Sequence, residues 1–151
     1  MKGLQRIVRR SALARLKGFG DLTSLVPAAD IYSQDPGGVP SWPFVKLGPT
    51  QTLPFRHGNS TDGANVSMPI HAFARAKYNA AGGMTQTAED HASAIGAQIE
   101  SAIQWKGEVS DDVDVRLGYN LTDIRLMPDS AESDAFHWFA TLNVRALSAF
   151  A

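Results

Sequence analysis

Four histidines, a few clustered carboxylates and a run of arginines are the residues of this chain whose types could do chemistry. The histidines are His57, His71, His91 and His137. No two stand three or four positions apart, and no His-Glu-x-x-His pattern is present to hold zinc. Asp90-His91 is the nearest approach to an acid–base pair, but adjacent helical residues point about 100° apart. His91 therefore reads as a helix-surface histidine beside a negative cap. His71 falls in an alternating segment with Ser67 on its own face, no acid is placed to complete a triad, and no Gly-x-Ser-x-Gly elbow exists. Asp111, Asp112 and Asp114 lack the glycine and the distal glutamate of an EF-hand loop and read as a solvated turn. Gly18, Gly20, Gly82 and Gly83 have no Gly-Lys-Ser/Thr beside them and are turn glycines. With no cysteine there is no thiol nucleophile, disulfide or thiolate metal site. No catalytic, metal or cofactor-binding residue is assigned.

What remains is surface. Six of the 14 basic residues (Lys2, Arg6, Arg9, Arg10, Arg15, Lys17) precede the first acid, Asp21, and nine of the 15 acids fall between Glu100 and Asp134. A chain with one basic end and one acidic flank can stack head to tail on copies of itself or on unlike neighbours. Arg6, Arg9 and Arg10 can reach phosphates, but a formal net charge of −1 and the lack of a helix-turn-helix pair argue against sequence-specific DNA binding. Trp42 and Phe44 beside Pro40 and Pro43, and Phe55 at the start of a polar stretch, are candidate interface anchors. No apolar run approaches the ~18 residues of a transmembrane helix, and Arg9, Arg10 and Arg15 interrupt any signal-peptide core, so a soluble, unprocessed chain is expected.

The elements that position these residues follow from periodicity. Leu4, Ile7, Val8, Ala12 and Leu16 mark one helical face, ended by Gly18 and Gly20. Ile31-Tyr32 is a very short strand. Phe44 to Leu47 is a strand that Thr50 to Leu53 continues across an edge, bulge or break at Pro49. A polar loop from Arg56 to Ala64 separates it from the alternating segment Val66 to Phe73. Gly82-Gly83 opens the clearest helix, with Thr85 or Thr87 as its cap, Ala88, Ala92, Ile95, Ile99 and Ile103 as its buried stripe, and Lys106-Gly107 as its close. Val113, Val115, Leu117, Tyr119 and Leu121 alternate, then the phase switches to Ile124 and Leu126, which predicts a bulge near Thr122-Asp123. Phe136, Trp138, Ala140, Leu142, Val144 and Ala146 alternate with His137, Thr141, Asn143 and Arg145, and Phe139 breaks the polarity of that second face. Paired strands predict an α+β fold with an antiparallel or mixed sheet of four to five strands and two main helices on one face. One domain over residues 1–151 is expected, with a projecting hairpin loop around 54–64.

The pattern resembles the tail terminator, or tail completion, proteins of long-tailed bacteriophages and gene transfer agents. The likeness rests on the amphipathic opening helix with Leu22-Thr23-Ser24-Leu25-Val26 and Asp30-Ile31-Tyr32, and on Val39-Pro40-Ser41-Trp42-Pro43-Phe44-Val45-Lys46-Leu47-Gly48. It also rests on Asp62-Gly63 leading into Val66 to Arg75, and on the closing Leu142-Asn143-Val144-Arg145-Ala146-Leu147. The resemblance implies a non-enzymatic virion protein, assembled in the bacterial cytoplasm, that forms a hexameric ring on the tail tube protein and stops tube polymerisation. It also implies a surface for a head connector or stopper protein, a lumen that passes DNA without sequence-specific binding, no cofactor and no membrane. Trp42, Phe44, Phe55, Arg56, His57, Asp62, Arg6, Arg9 and Arg10 are the expected contact residues. Another connector or stopper ring of the same particle, or a small enzyme with a dispersed site around His71 or His91, are the alternatives.

Overall fold

The structure, a computed structural model, describes residues 3–57, 61–110 and 115–149. Helix α1 (Leu4–Lys17) buries Leu4, Val8, Ala12 and Leu16, the stripe its spacing predicts. Each large aliphatic side chain taken from water there stabilises by about 1.5–3 kcal/mol. Arg15 and Lys17 sit in its last turn, where cations favour the negative end of the helix. A four-residue helix, α2 (Gly20–Thr23), and a 3-10 turn at Ala28–Asp30 lead to strand β1 (Ile31–Tyr32). Strands β2 (Phe44–Leu47), β3 (Gln51–His57) and β4 (Thr61–Arg75) follow, then the small β5 (Lys77–Tyr78) and β6 (Met84–Gln86) pair. Helix α3 (Ala88–Ile103) precedes β7 (Gly107–Val109), β8 (Val115–Pro128) and β9 (Ala135–Ala149).

The main sheet has seven strands in the order β1-β2-β4-β9-β8-β7, with β3 paired to β4 beyond the end of β2. Seven corrects the expected four to five: β3, read as the continuation of β2, is a strand of its own, and β7 is too short to carry an alternation. The sheet is mixed, since β1 joins β2 in parallel while the other pairs are antiparallel. β2 and β3 lie end to end along one side of β4, and the break falls at Gly48-Pro49-Thr50. There the Gly48 N–H donates to the Pro69 carbonyl at 2.8 Å. A β-carbon on Gly48 would stand 2.2 Å from the Pro69 ring, so only glycine allows this approach.

Both long helices pack on one face of the sheet, and a single apolar cluster joins α1 and α3 to β2, β4, β8 and β9. α3 begins at Ala88, after the Gly82-Gly83 turn and β6, so the diglycine does not open it. Thr87 is the cap, accepting from the Asp90 N–H at 3.1 Å. The helix ends at Ile103 with Gln104 as its C-cap, short of Lys106-Gly107. Gln104 instead bridges to β8, accepting from the Leu121 N–H at 2.6 Å and donating to its carbonyl at 3.2 Å. Within the segment read as a loop, residues 56–57 and 61–64 are strand: β3 pairs with β4 up to His57 opposite Thr61, and β9 pairs with β4 from Thr61 to Arg75. Asp111, Asp112, Val113 and Asp114 lie outside the described residues.

Candidate functional site

Strand alternation divides the sheet into a helix-covered face and an open one. On β4 the buried residues Ala64, Val66, Met68, Ile70, Ala72 and Ala74 fix the helix side. His71, Phe73 and Arg75 therefore project to the open face, opposite Phe139, His137 and Ala135 of β9. Phe44 and Lys46 of β2 stand against Phe73 and His71 on the same face. This register assembles a continuous block of rings. Phe44 stacks on Phe73 with centroids 4.8 Å apart, Phe73 on His137 at 4.3 Å, and His137 on His71 at 4.9 Å. Phe139 closes one side edge-on to His71 at 5.3 Å, and Trp42 the other, edge-on to Phe44 at 5.2 Å.

Cations rim the block. The Arg75 guanidinium lies 4.3 Å over the Trp42 ring and pairs with Glu132 at 3.2 Å and Asp134 at 3.9 Å. Lys46 sits 5.6 Å from the Phe73 centroid and 2.6 Å from the Asp35 carboxylate. Between them the two imidazoles share one hydrogen bond, His71 Nδ1 to His137 Nε2 at 2.7 Å, so one ring donates and the other accepts. Burial pushes the His71 imidazole down to about 4, with the neighbouring His137 and then Lys46 adding to the effect and Asp35 opposing it. Burial likewise lowers His137, against the pull of Asp129. Both rings are neutral near neutral pH.

Such a pair is poorly placed for acid–base work. Among the described residues no carboxylate hydrogen-bonds either imidazole, and no three His, Cys, Asp or Glu side chains converge on a metal position. His91, expected on the helix surface, is buried at 3% exposure. Its Nδ1–H donates to the Arg75 carbonyl at 2.8 Å, tying α3 to the end of β4. That is a structural role. Position 91 stands three residues after Ala88, on the same face as the buried stripe, and the end of β4 supplies the acceptor.

The expected contact residues separate into three groups. Trp42 and Phe44 meet in the ring block, where Phe44 is buried at 6% exposure and acts as packing, with Trp42 covering it. Phe55, Arg56 and Asp62 lie at the far end of the β3–β4 hairpin. Phe55 is half-buried against Gly63 and under the Arg145 guanidinium at 5.2 Å, while Arg56 and Asp62 face each other across the ladder. His57 pairs with Thr61 in the backbone register. On α1, Arg6 and Arg10 are exposed, but Arg9 is held: it donates to the Gly48 carbonyl at 2.9 Å, to Thr50 Oγ1 and to the Ser33 carbonyl. Arg9 thus fastens α1 to the β2–β3 break. Sequence reading missed the His71–His137 pair and Arg75, because strand register, not spacing, brings them together. The one trace of it in the sequence was Phe139 on an otherwise polar face.

Residues 11–147 match the family of the tail completion protein gp17. The chain belongs to that family. Its fold is also that of a chain in a solved structure described as the virion of a native gene transfer agent particle, with a TM-score of 0.73 and 16% identity, covering 98% of this chain and 100% of that one. No curated protein matches the sequence. Family membership makes the chain a structural protein of the virion tail, with a tail or head–tail role. No helix among the described residues is long and apolar enough to cross a membrane.

Proposed function

We propose that this chain forms a hexameric ring that caps the tail tube, stops its polymerisation and offers the surface to which a head connector or stopper protein joins. The observation that carries the reading is the family match across residues 11–147, which takes in every element from the middle of α1 to the end region of β9. The physical chemistry agrees with it. A ring needs two different surfaces on each subunit that fit one another, and the sheet supplies two different edges, β1 and β3 on one side and β7 and the distal half of β8 on the other. The tube protein lies on one side of the ring and the connector on the other, with Phe55, Arg56 and Asp62 at the hairpin end and Arg6 and Arg10 on α1 as contacts. DNA passes through the lumen without sequence readout.

Electron microscopy of particles from a producer lacking the gene tests this. Headless tails of uncontrolled excess length are expected. Tails of normal length beside unattached heads would move the chain to the head side of the joint, and intact infectious or transducing particles would overturn an assembly role.

A further inference from the structure

The open face of the sheet has a charge pattern that the ring block does not explain. Its outward ladder positions receive Lys46 from β2, Arg75 from β4, Arg145 from β9, and Arg116 and Arg125 from β8. Among the described residues no Asp or Glu stands at any outward ladder position of the main sheet. Asp62 and Glu108 fall on the helix side, where Glu108 accepts from the Tyr119 hydroxyl at 2.7 Å and pairs with Arg15 at 2.5 Å. Asp123 lies in the β8 bulge and is paired with Arg125 at 2.9 Å. Lys46 and Arg75 are likewise neutralised by Asp35 and by Glu132 with Asp134.

Arg116 and Arg145 differ: both are exposed and neither makes an ion pair among the described residues. They are diagonal neighbours on adjacent strands, since Arg145 faces Gly118 and Arg116 faces Leu147. That places the two residues about 7–8 Å apart, with their β-carbons somewhat closer. Asn65, Asn120 and Asn143 stand beside them on the same face. In a chain of formal net charge −1, these form a patch of cations and neutral hydrogen-bond donors among the described residues.

We propose that this end of the open face is a sequence-independent contact surface for the phosphate backbone of duplex DNA. Arginine with asparagine, serine and threonine is the donor set that positions phosphates, and such contacts carry no base readout. The face of a sheet, unlike a helix or a two-stranded ribbon, puts no element into a groove, so no sequence preference is expected. Unstacked bases of a single strand would need free aromatic faces, but Phe55 at this end lies under the Arg145 guanidinium at 5.2 Å, and the rings of the block are stacked on each other. The inference uses the tail reading only for how DNA comes to be near, and its test does not depend on tail phenotype.

Fluorescence anisotropy of the purified full chain with a labelled random duplex of about 30 base pairs, over a salt series, is the experiment. Binding whose log affinity falls linearly with log salt is expected, equal for A·T-rich and G·C-rich duplexes. Arg116→Gln with Arg145→Gln should weaken it at least about tenfold near 50 mM salt and lower the slope by roughly 1.8. Arg116→Lys with Arg145→Lys should keep most of it, and Arg6→Gln with Arg10→Gln on α1 should bind as the parent chain does. Absence of salt-dependent binding by the folded protein, or loss with the α1 variant in place of the sheet variant, would overturn the proposal. So would tighter capture of a poly-aspartate peptide than of the duplex, which would give the face to an acidic protein instead.

Discussion

Gly96 lies in the buried stripe of α3, where alanine would favour the helix by about 1 kcal/mol. A β-carbon there would stand 2.3 Å from Trp138 Nε1, and Trp138 is itself buried among the core residues. Gly96→Ala should therefore reverse the usual sign and cost about 1–3 kcal/mol, read as a lower urea midpoint with an unchanged slope. A variant as stable as the parent would mean that the indole can swing aside. His71 sets a pH dependence. Its folded-state value of about 4 lies below the ~6.5 of an unfolded histidine, so between these values the unfolded chain binds the extra proton. Stability is complete above about pH 6.5 and falls as the pH drops toward 4. The loss is on the order of 1–2 kcal/mol, reduced from the full shift because the ring is partly solvated. His71→Phe with His137→Phe should flatten thermal unfolding temperature across that window; an equally steep profile would place the titration elsewhere. Neither site was legible in the sequence at this scale. His71 reads as a lone strand histidine until the register of β4 on β9 is known, and nothing in the α3 stripe sets Gly96 against Trp138.

Among the elements, the β8 bulge shows what periodicity can reveal. The change of phase after Leu121 predicted it, and the β8–β9 register shifts between Thr122 and Arg125 with Asp123 at φ 53°. Phase alone does not fix burial: Leu126 stands opposite core Trp138, yet it and Ile124 remain exposed. The left-handed backbone at Asp123 penalises a β-branched side chain and is neutral or favourable for glycine. Asp123→Val should cost about 1–2 kcal/mol and Asp123→Gly should lie within about 0.5 kcal/mol of the parent, by urea unfolding. Equal stability of the two would mean that the bulge relaxes in solution. Stripes were the legible part of the fold: α1, α3, β4 and β9 were each found with their buried residues. Boundaries that depend on partners were not. The segment 56–64 is polar and glycine-bearing, as loops are, but at 56–57 and 61–64 β9 supplies a ladder to the β4 arm and Phe55 packs across Gly63, so strand prevails over composition there. The β5–β6 pair escaped notice because its two and three residues carry no alternation.

For the whole molecule, the question is whether the hairpin end docks on another virion protein or only closes the sheet, and Arg56 with Asp62 allows the two to be separated. They are direct cross-strand partners on β3 and β4. Asp62→Arg alone sets like charges opposite each other and should cost about 0.5–1 kcal/mol. Adding Arg56→Asp restores opposite charges across the ladder, so the double exchange should unfold close to the parent, within about 0.5 kcal/mol. Its surface, however, presents each charge where its opposite was, and a complementary neighbour would meet repulsion at both positions. The refolded balance of charge therefore removes the intramolecular effect and leaves the intermolecular one. Complementation of a producer lacking the gene, with the exchanged chain at normal levels, should give few joined particles although the protein is soluble and stable. Salt should partly restore assembly in vitro by screening exposed charges. Full particle yields from the exchanged chain would remove this end of the hairpin from the assembly interface and leave the sheet edges and α1 as the contact surfaces of the proposed ring.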